Sequence, residues 1–116
     1  MNFQYTILIV ETDRTLGLLY QIEFEELGYR VVVANSGNTA VEKVHSSSPD
    51  LVLLDPGTPG ENLQTSILHI NPVLPIIFHT TFPPHGASDN PEKKYICKSS
   101  DLTELKKLVF NTLQER

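Results

Sequence analysis

The stretch Leu51–Gly60, LVLLDPGTPG, decides the fold. Four apolar residues in a row predict a strand buried on both faces, as in a parallel sheet covered by helices. The run stops at one carboxylate, Asp55, and then breaks at Pro56, Gly57, Pro59 and Gly60. A strand that delivers an acid to its carboxyl end, followed by a turn, is where open α/β sheets place their sites. An Asp among Gly and Pro also serves as a plain turn residue. The neighbouring segments choose between the two.

Upstream, Tyr5–Val10 (YTILIV) repeats the pattern: an apolar run followed at once by Glu11, Thr12 and Asp13. Thr12 or Asp13 can cap a helix whose face is set by Leu16, Tyr20, Phe24 and Leu27, and Gly28 ends it as a C′ residue would. Arg30–Ala34 (RVVVA) is short and β-branched, a second strand. Ser36–Asn38 reads as a turn, and Ala40, Val41 and Val44 as a short helix before Ser46–Pro49. Downstream, Asn62–Ile70 predicts a brief helix with Leu63, Ile67 and Ile70 inward, closed by Pro72. Pro75–His79 (PIIFH) is a fourth strand ending at Thr80 and Thr81, and Lys94–Cys97 (KYIC) a fifth ending at Lys98. Asp101 and Glu104 form a D-x-x-E capping box before a last helix with Leu102, Leu105, Val109 and Leu113 inward. Strand and helix alternate, which predicts a parallel sheet with helices on both faces.

Composition narrows the function classes. A chain of 116 residues with 40% apolar residues suits one compact domain over residues 1–116. No apolar run approaches the roughly 20 residues that span a bilayer, so no membrane partner is expected. The start, MNFQYTILIV, lacks a basic n-region and a small-residue cleavage site. A single cysteine, Cys97, forms no internal disulfide and suits a small core position; the expected location is the cytoplasm. A net charge of -5, with no basic run, argues against a nucleic-acid surface. The four histidines (His45, His69, His79 and His85) show no paired metal-ligand spacing, and His79 reads as a packed strand residue.

In a doubly wound sheet the strand ends lie along one edge, which gathers Glu11, Asp55, Thr80 and Lys98. Two carboxylates can hold a divalent cation such as Mg²⁺, which prefers oxygen ligands and keeps several waters. A carboxylate there can act as nucleophile toward a phosphoryl group, with an ammonium and a hydroxyl offsetting charge on the phosphoryl oxygens.

With these motifs in order, ILIV before an acidic cluster, LVLLD with Pro59 four residues after the acid, PIIFHT, and YICK before an acid-capped helix, the chain resembles the receiver domain of two-component response regulators. The resemblance runs over essentially the whole chain. It implies a flavodoxin-like, doubly wound, five-stranded parallel sheet of order 2-1-3-4-5. It implies that Asp55 accepts phosphate from a histidine kinase or phosphotransfer protein, with Thr80 and Lys98 completing the catalytic set. Glu11, Asp55 and the Gly57 carbonyl would hold the metal, Asp13 and Thr12 being possible additions, and Thr80 with Tyr95 would form the switch. Such a domain is no conventional enzyme; at most it phosphorylates and dephosphorylates itself at Asp55.

The sequence departs from the pattern in several places. Thr12 stands where a second acid is usual, which predicts weak Mg²⁺ affinity. Ser99 follows Lys98 where proline is usual. The segments from Asp55 to Thr80 and from Thr80 to Lys98 are short, and residues 81–93 carry Pro83, Pro84 and Pro91. The family's fourth helix is therefore expected to be lost or replaced by a loop, and with it the usual dimer face. Two other readings compete. A pseudo-receiver would act as a phosphorylation-independent protein-interaction module. A flavodoxin-like cofactor binder would need a Gly-rich loop after Val10, which is absent.

Overall fold

The computed structural model describes residues 4–59, 62–80, 94–97 and 101–115. Five strands, β1 (Thr6–Val10), β2 (Arg30–Ala34), β3 (Leu51–Leu54), β4 (Ile76–Thr80) and β5 (Lys94–Cys97), form one sheet. Every neighbouring pair is parallel, as the alternation of strand and helix predicts, and the order is β2-β1-β3-β4-β5, as the resemblance to receiver domains implies. Helices α1 (Arg14–Glu26), α2 (Gly37–Ser47), α3 (Leu63–Ile70) and α4 (Thr103–Gln114) supply the covering layers. The expectation of a loop over residues 81–93 lies outside the described residues.

Side chains alternate across a strand, and this divides the interior into two cores. Ile7, Ile9, Leu51, Leu53 and Ile77 pack with Tyr20 and Phe24 of α1 and with Leu105, Val109 and Leu113 of α4. Leu8, Val10, Val52, Leu54 and Phe78 pack with Ala40 and Val44 of α2 and with Leu63 and Ile67 of α3. Every residue of β3 is buried, which is why its sequence is a continuous apolar run.

Helix α1 begins where Asp13 accepts a hydrogen bond from the Leu16 amide at 3.1 Å, so Asp13 rather than Thr12 is its cap. It ends in a Schellman motif. Gly28, at φ 94°, donates to the Glu25 carbonyl at 3.0 Å, and Tyr29 to that of Phe24 at 3.3 Å. Leu27 is the C-cap and is 53% exposed, not inward as its spacing predicts, because the chain has already left the helical path there.

Two other boundaries differ from expectation. The predicted turn Ser36–Asn38 is the start of α2: the Ser36 hydroxyl accepts from the Thr39 amide at 3.2 Å, which lets Gly37 and Asn38 join the helix. The same helix runs on through Ser46 and Ser47, where the Ser47 hydroxyl donates to the Lys43 carbonyl, and stops at Ser48 in the left-handed region. The predicted Asp101–Glu104 capping box does not form. The Asp101 carboxylate accepts instead from the Thr103 amide at 2.9 Å and the Thr103 hydroxyl at 2.6 Å, and α4 starts after Leu102. A nearby hydroxyl competes for the oxygen that the third helical amide would otherwise use. These bonds hold the Asp101 carboxyl below its ordinary pKa.

Candidate functional site

The register Val10↔Leu54 brings the carboxyl ends of β1 and β3 to the same level. The ladder runs one residue further: the Asp55 amide donates to the Val10 carbonyl at 3.0 Å, and the Glu11 amide to that of Ala34 at 3.0 Å. Backbone pairing thus fixes both acids at adjacent strand ends before any side-chain contact is made. Glu11 is only 3% exposed. Its carboxylate accepts from the Asp13 amide at 3.4 Å, and its carbonyl accepts from the Asn35 side chain at 2.8 Å. Gly17 lets α1 approach this corner: a Cβ there would lie 3.3 Å from Val33 Cγ1 and 3.8 Å from Glu11 Cβ.

Asp55 is half-buried and opens the turn that follows β3. Its Oδ1 accepts from the Gly57 amide at 2.8 Å, and its carbonyl from the Thr58 amide at 3.0 Å, the Asx-type turn expected of such a segment. Thr58 is buried, and its hydroxyl has no hydrogen-bond partner among the described residues. Thr80 is the last residue of β4, half-buried, on the strand next to β3.

Sequence reasoning therefore placed Glu11, Asp55, Gly57 and Thr80 on the elements that bring them to one sheet edge. Thr12 is exposed, and Asp13 is also exposed with its carboxylate committed to capping α1. Lys98 and the Tyr95 side chain lie outside the described residues. Among the described residues no three His, Cys, Asp or Glu side chains gather as a ready-made metal cluster. Two carboxylates and a backbone carbonyl still suit Mg²⁺, which binds through one or two acids and keeps its waters.

A neighbouring feature escaped the sequence reading. Tyr20 of α1 and His79 of β4 are 1% and 2% exposed. The Tyr20 hydroxyl and His79 Nε2 are hydrogen-bonded at 3.3 Å, with ring centroids 4.8 Å apart. Burial pushes the Tyr20 hydroxyl far above its ordinary pKa, and the charges of Glu11, Asp55 and Asp13 push it further. The tyrosine thus feels the negative potential of the acidic corner. A Tyr on the inward stripe of α1 was the one available signal, since the helical spacing already placed it in the core.

The family model for the response regulator receiver domain matches residues 7–110. The chain belongs to this family. Among curated receiver-containing relatives, it is 26% identical over 117 residues to the luminescence regulatory protein LuxO of Vibrio campbellii, covering 92% of this chain and 25% of LuxO. It is 33% identical over 105 residues to the response regulator ArlR of Staphylococcus saprophyticus, covering 85% of this chain and 48% of ArlR. The receiver domain described here thus spans half or less of these two proteins. Among solved structures, the response regulator TrrA of Thermotoga maritima, in complex with Mg²⁺-BeF, is 31% identical with a TM-score of 0.78, covering 95% of this chain and 99% of TrrA. The chemotaxis protein CheY4 of Vibrio cholerae shares the fold at a TM-score of 0.81 and 16% identity, covering 92% of this chain and 97% of CheY4.

Proposed function

We propose that this receiver domain takes a phosphoryl group onto Asp55 from a histidine kinase or phosphotransfer protein. The observation that carries the reading is the pairing of a buried acid, Glu11, with a more accessible one, Asp55, at the ends of adjacent strands. In the transfer a new P–O bond forms on an Asp55 carboxylate oxygen while the donor's P–N bond breaks, its electron pair leaving with the imidazole. The Gly57 amide holds Asp55 Oδ1, which orients the carboxylate. Thr80 and Lys98 are the groups assigned to the phosphoryl oxygens, and Thr80 with Tyr95 to the switch.

Glu11, Asp55 and the Gly57 carbonyl would hold Mg²⁺, with Asp13 and Thr12 as possible additions. The cation would supply positive charge against the phosphoryl oxygens. Its affinity is expected to be weak, because Thr12 lacks a charge and Asp13 is engaged at the helix start. The domain carries a net charge of -5 and is assigned no nucleic-acid contact of its own. Among the described residues no helix is long and apolar enough to cross a membrane. A cytoplasmic location is part of the same proposal.

The exposed Thr12 favours one second reading, a pseudo-receiver that binds partners without phosphorylation. Incubation with acetyl phosphate and Mg²⁺, followed by intact mass, separates the two. A single phosphoryl adduct that disappears in Asp55→Asn supports the phosphoacceptor. An unmodified wild type, or an adduct that survives Asp55→Asn, refutes it.

A further inference from the structure

The amino edge of the sheet, opposite the edge that carries Glu11 and Asp55, holds a cavity of about 490 Å³ between the end of α1 and the side of α4. Its size falls within the ~300–1,000 Å³ range of small-molecule sites. Its walls are largely aromatic. The β1–β2 ladder begins at Thr6↔Arg30, and the Arg30 amide donates to the Tyr5 carbonyl at 3.0 Å, so Tyr5 and Tyr29 stand at one level just before the two strands. The Tyr29 ring is tilted against Phe24 with centroids 6.1 Å apart, which fixes that wall to the core. Tyr5 adds to the burial that holds the Tyr29 hydroxyl above its ordinary pKa, in keeping with two neighbouring phenols. Leu27 and Phe110 also line the space, and both are more than half exposed. Phe110 is not spent on the core, which α4 meets through Leu105, Val109 and Leu113.

The charge around this cavity is opposite to that of the domain. The chain carries a net charge of -5, yet among the described residues no Asp or Glu lines the space, while Lys106 and Lys107 do. Lys106 donates to Glu23 at 3.3 Å. Lys107 is exposed and enters no ion pair among the described residues. Lys107, Phe110, Asn111 and Gln114 form one stripe of α4, so an ammonium, a ring and two carboxamides border the same space. One uncommitted ammonium matches a single negative charge, which a carboxylate carries and a phosphate group exceeds at neutral pH.

We propose that this cavity binds a small aromatic carboxylate, its ring against Tyr5, Tyr29 and Phe110 and its charge at Lys107. The site stands apart from Asp55 and from any phosphoryl transfer there. Glu11 lies six residues beyond Tyr5 along β1, roughly 20 Å at ~3.3 Å per residue. Neither feature suffices alone, because an exposed ion pair contributes little and a bare apolar wall does not select charge. The test therefore varies ring and charge separately.

2-Naphthoate is titrated into the full chain at neutral pH and followed by NMR shifts of backbone and side-chain amides. Saturable shifts at Gly28, Tyr29 and Asn111 are expected, with Val52 in the middle of the sheet unmoved. 2-Naphthalenemethanol, the same ring without the charge, is expected to bind about four-fold more weakly. Lys107→Gln should weaken the acid about four-fold and leave the alcohol unchanged, while Phe110→Ser should weaken both about five-fold. Failure to saturate up to the solubility of the acid would overturn the proposal. Equal affinity for acid and alcohol would reduce the site to plain apolar surface and overturn it as well. Shifts at the same residues that grow with protein concentration, without the acid, would mean that a second copy covers this face, and would also overturn it.

Discussion

The two faces of the sheet are built alike along most of their depth and differ at one end. Toward α2 and α3, the face is still apolar at Val10, Leu54 and Phe78, which pack near Leu63, Ile67 and Leu74. Toward α1 and α4, the apolar ladder of Ile7, Ile9, Leu51, Leu53 and Ile77 gives way at the carboxyl edge to Glu11, Asp55 and the Tyr20–His79 pair. The two acids therefore fall on one face, while the other stays apolar up to Thr80, which follows Phe78 on the same face of β4. Burying a carboxylate costs far more than burying a methylene group, so the acidic corner depends on the apolar levels beneath it for stability.

This comparison can be broken most directly by truncating each face. Phe24→Ala, under the acidic corner, is expected to cost about 3–5 kcal/mol, and Ile67→Ala, on the other face, about 2–5 kcal/mol. Urea denaturation measures both. A cost under about 1 kcal/mol for Phe24→Ala would mean that the site-bearing face is not held by its core.

Alkaline titration sharpens the contrast, because the α1/α4 face buries Tyr20 beside acids. The folded protein holds the Tyr20 proton to higher pH than the unfolded chain does, chiefly through burial. The unfolded tyrosine releases its proton first, near pH 10, so this contribution is complete below that value. Above it, stability should fall by about 1.4 kcal/mol per pH unit until the folded state titrates as well. Tyr29, also raised by burial and by Tyr5, adds to the slope in any background. Urea midpoints of wild type and Tyr20→Phe between pH 9 and 11 isolate the Tyr20 share. Parallel curves would show that Tyr20 is not the buried group responsible.

Smaller effects are expected at the ends of α1. Asp13→Ala removes the cap and should cost about 1 kcal/mol. Gly28→Ala places a side chain at φ 94° and should cost roughly 1 kcal/mol. Thermal melts check both. Thr12→Asp should leave stability almost unchanged and tighten Mg²⁺ binding, read by metal titration. Equal affinity before and after would show that Asp13 already supplies the charge despite its capping role.

Much of this architecture was legible before any coordinates. LVLLD and YTILIV announce buried parallel strands because no polar residue interrupts them, and the acids that follow mark the edge where the site forms. Boundaries were less legible. Ser36 has the same composition signal in a turn and at a helix start, and only its bond to the Thr39 amide tells them apart. Asp101 similarly matches a capping box in sequence, yet its carboxylate accepts from the Thr103 amide and hydroxyl. Local competition for one carboxylate is decided by geometry within a few tenths of an ångström, below what spacing encodes.

By itself, the sequence determined the alternation of strands and helices, the burial of the central strand and the arrival of Glu11 and Asp55 at a common edge. Periodicity within each element was enough for the first two, and the common edge followed from the parallel, doubly wound arrangement that the alternation predicts. Contacts between elements were decided by the tertiary structure. Asn35 meets the Glu11 carbonyl across 24 positions, and Tyr20 meets His79 across 59. Spacing assigned both Tyr20 and His79 to the interior, but a pattern along one segment says nothing of which side chain waits on another. Chain packing alone brings those two polar groups together, because each needs a hydrogen-bond partner once water is excluded.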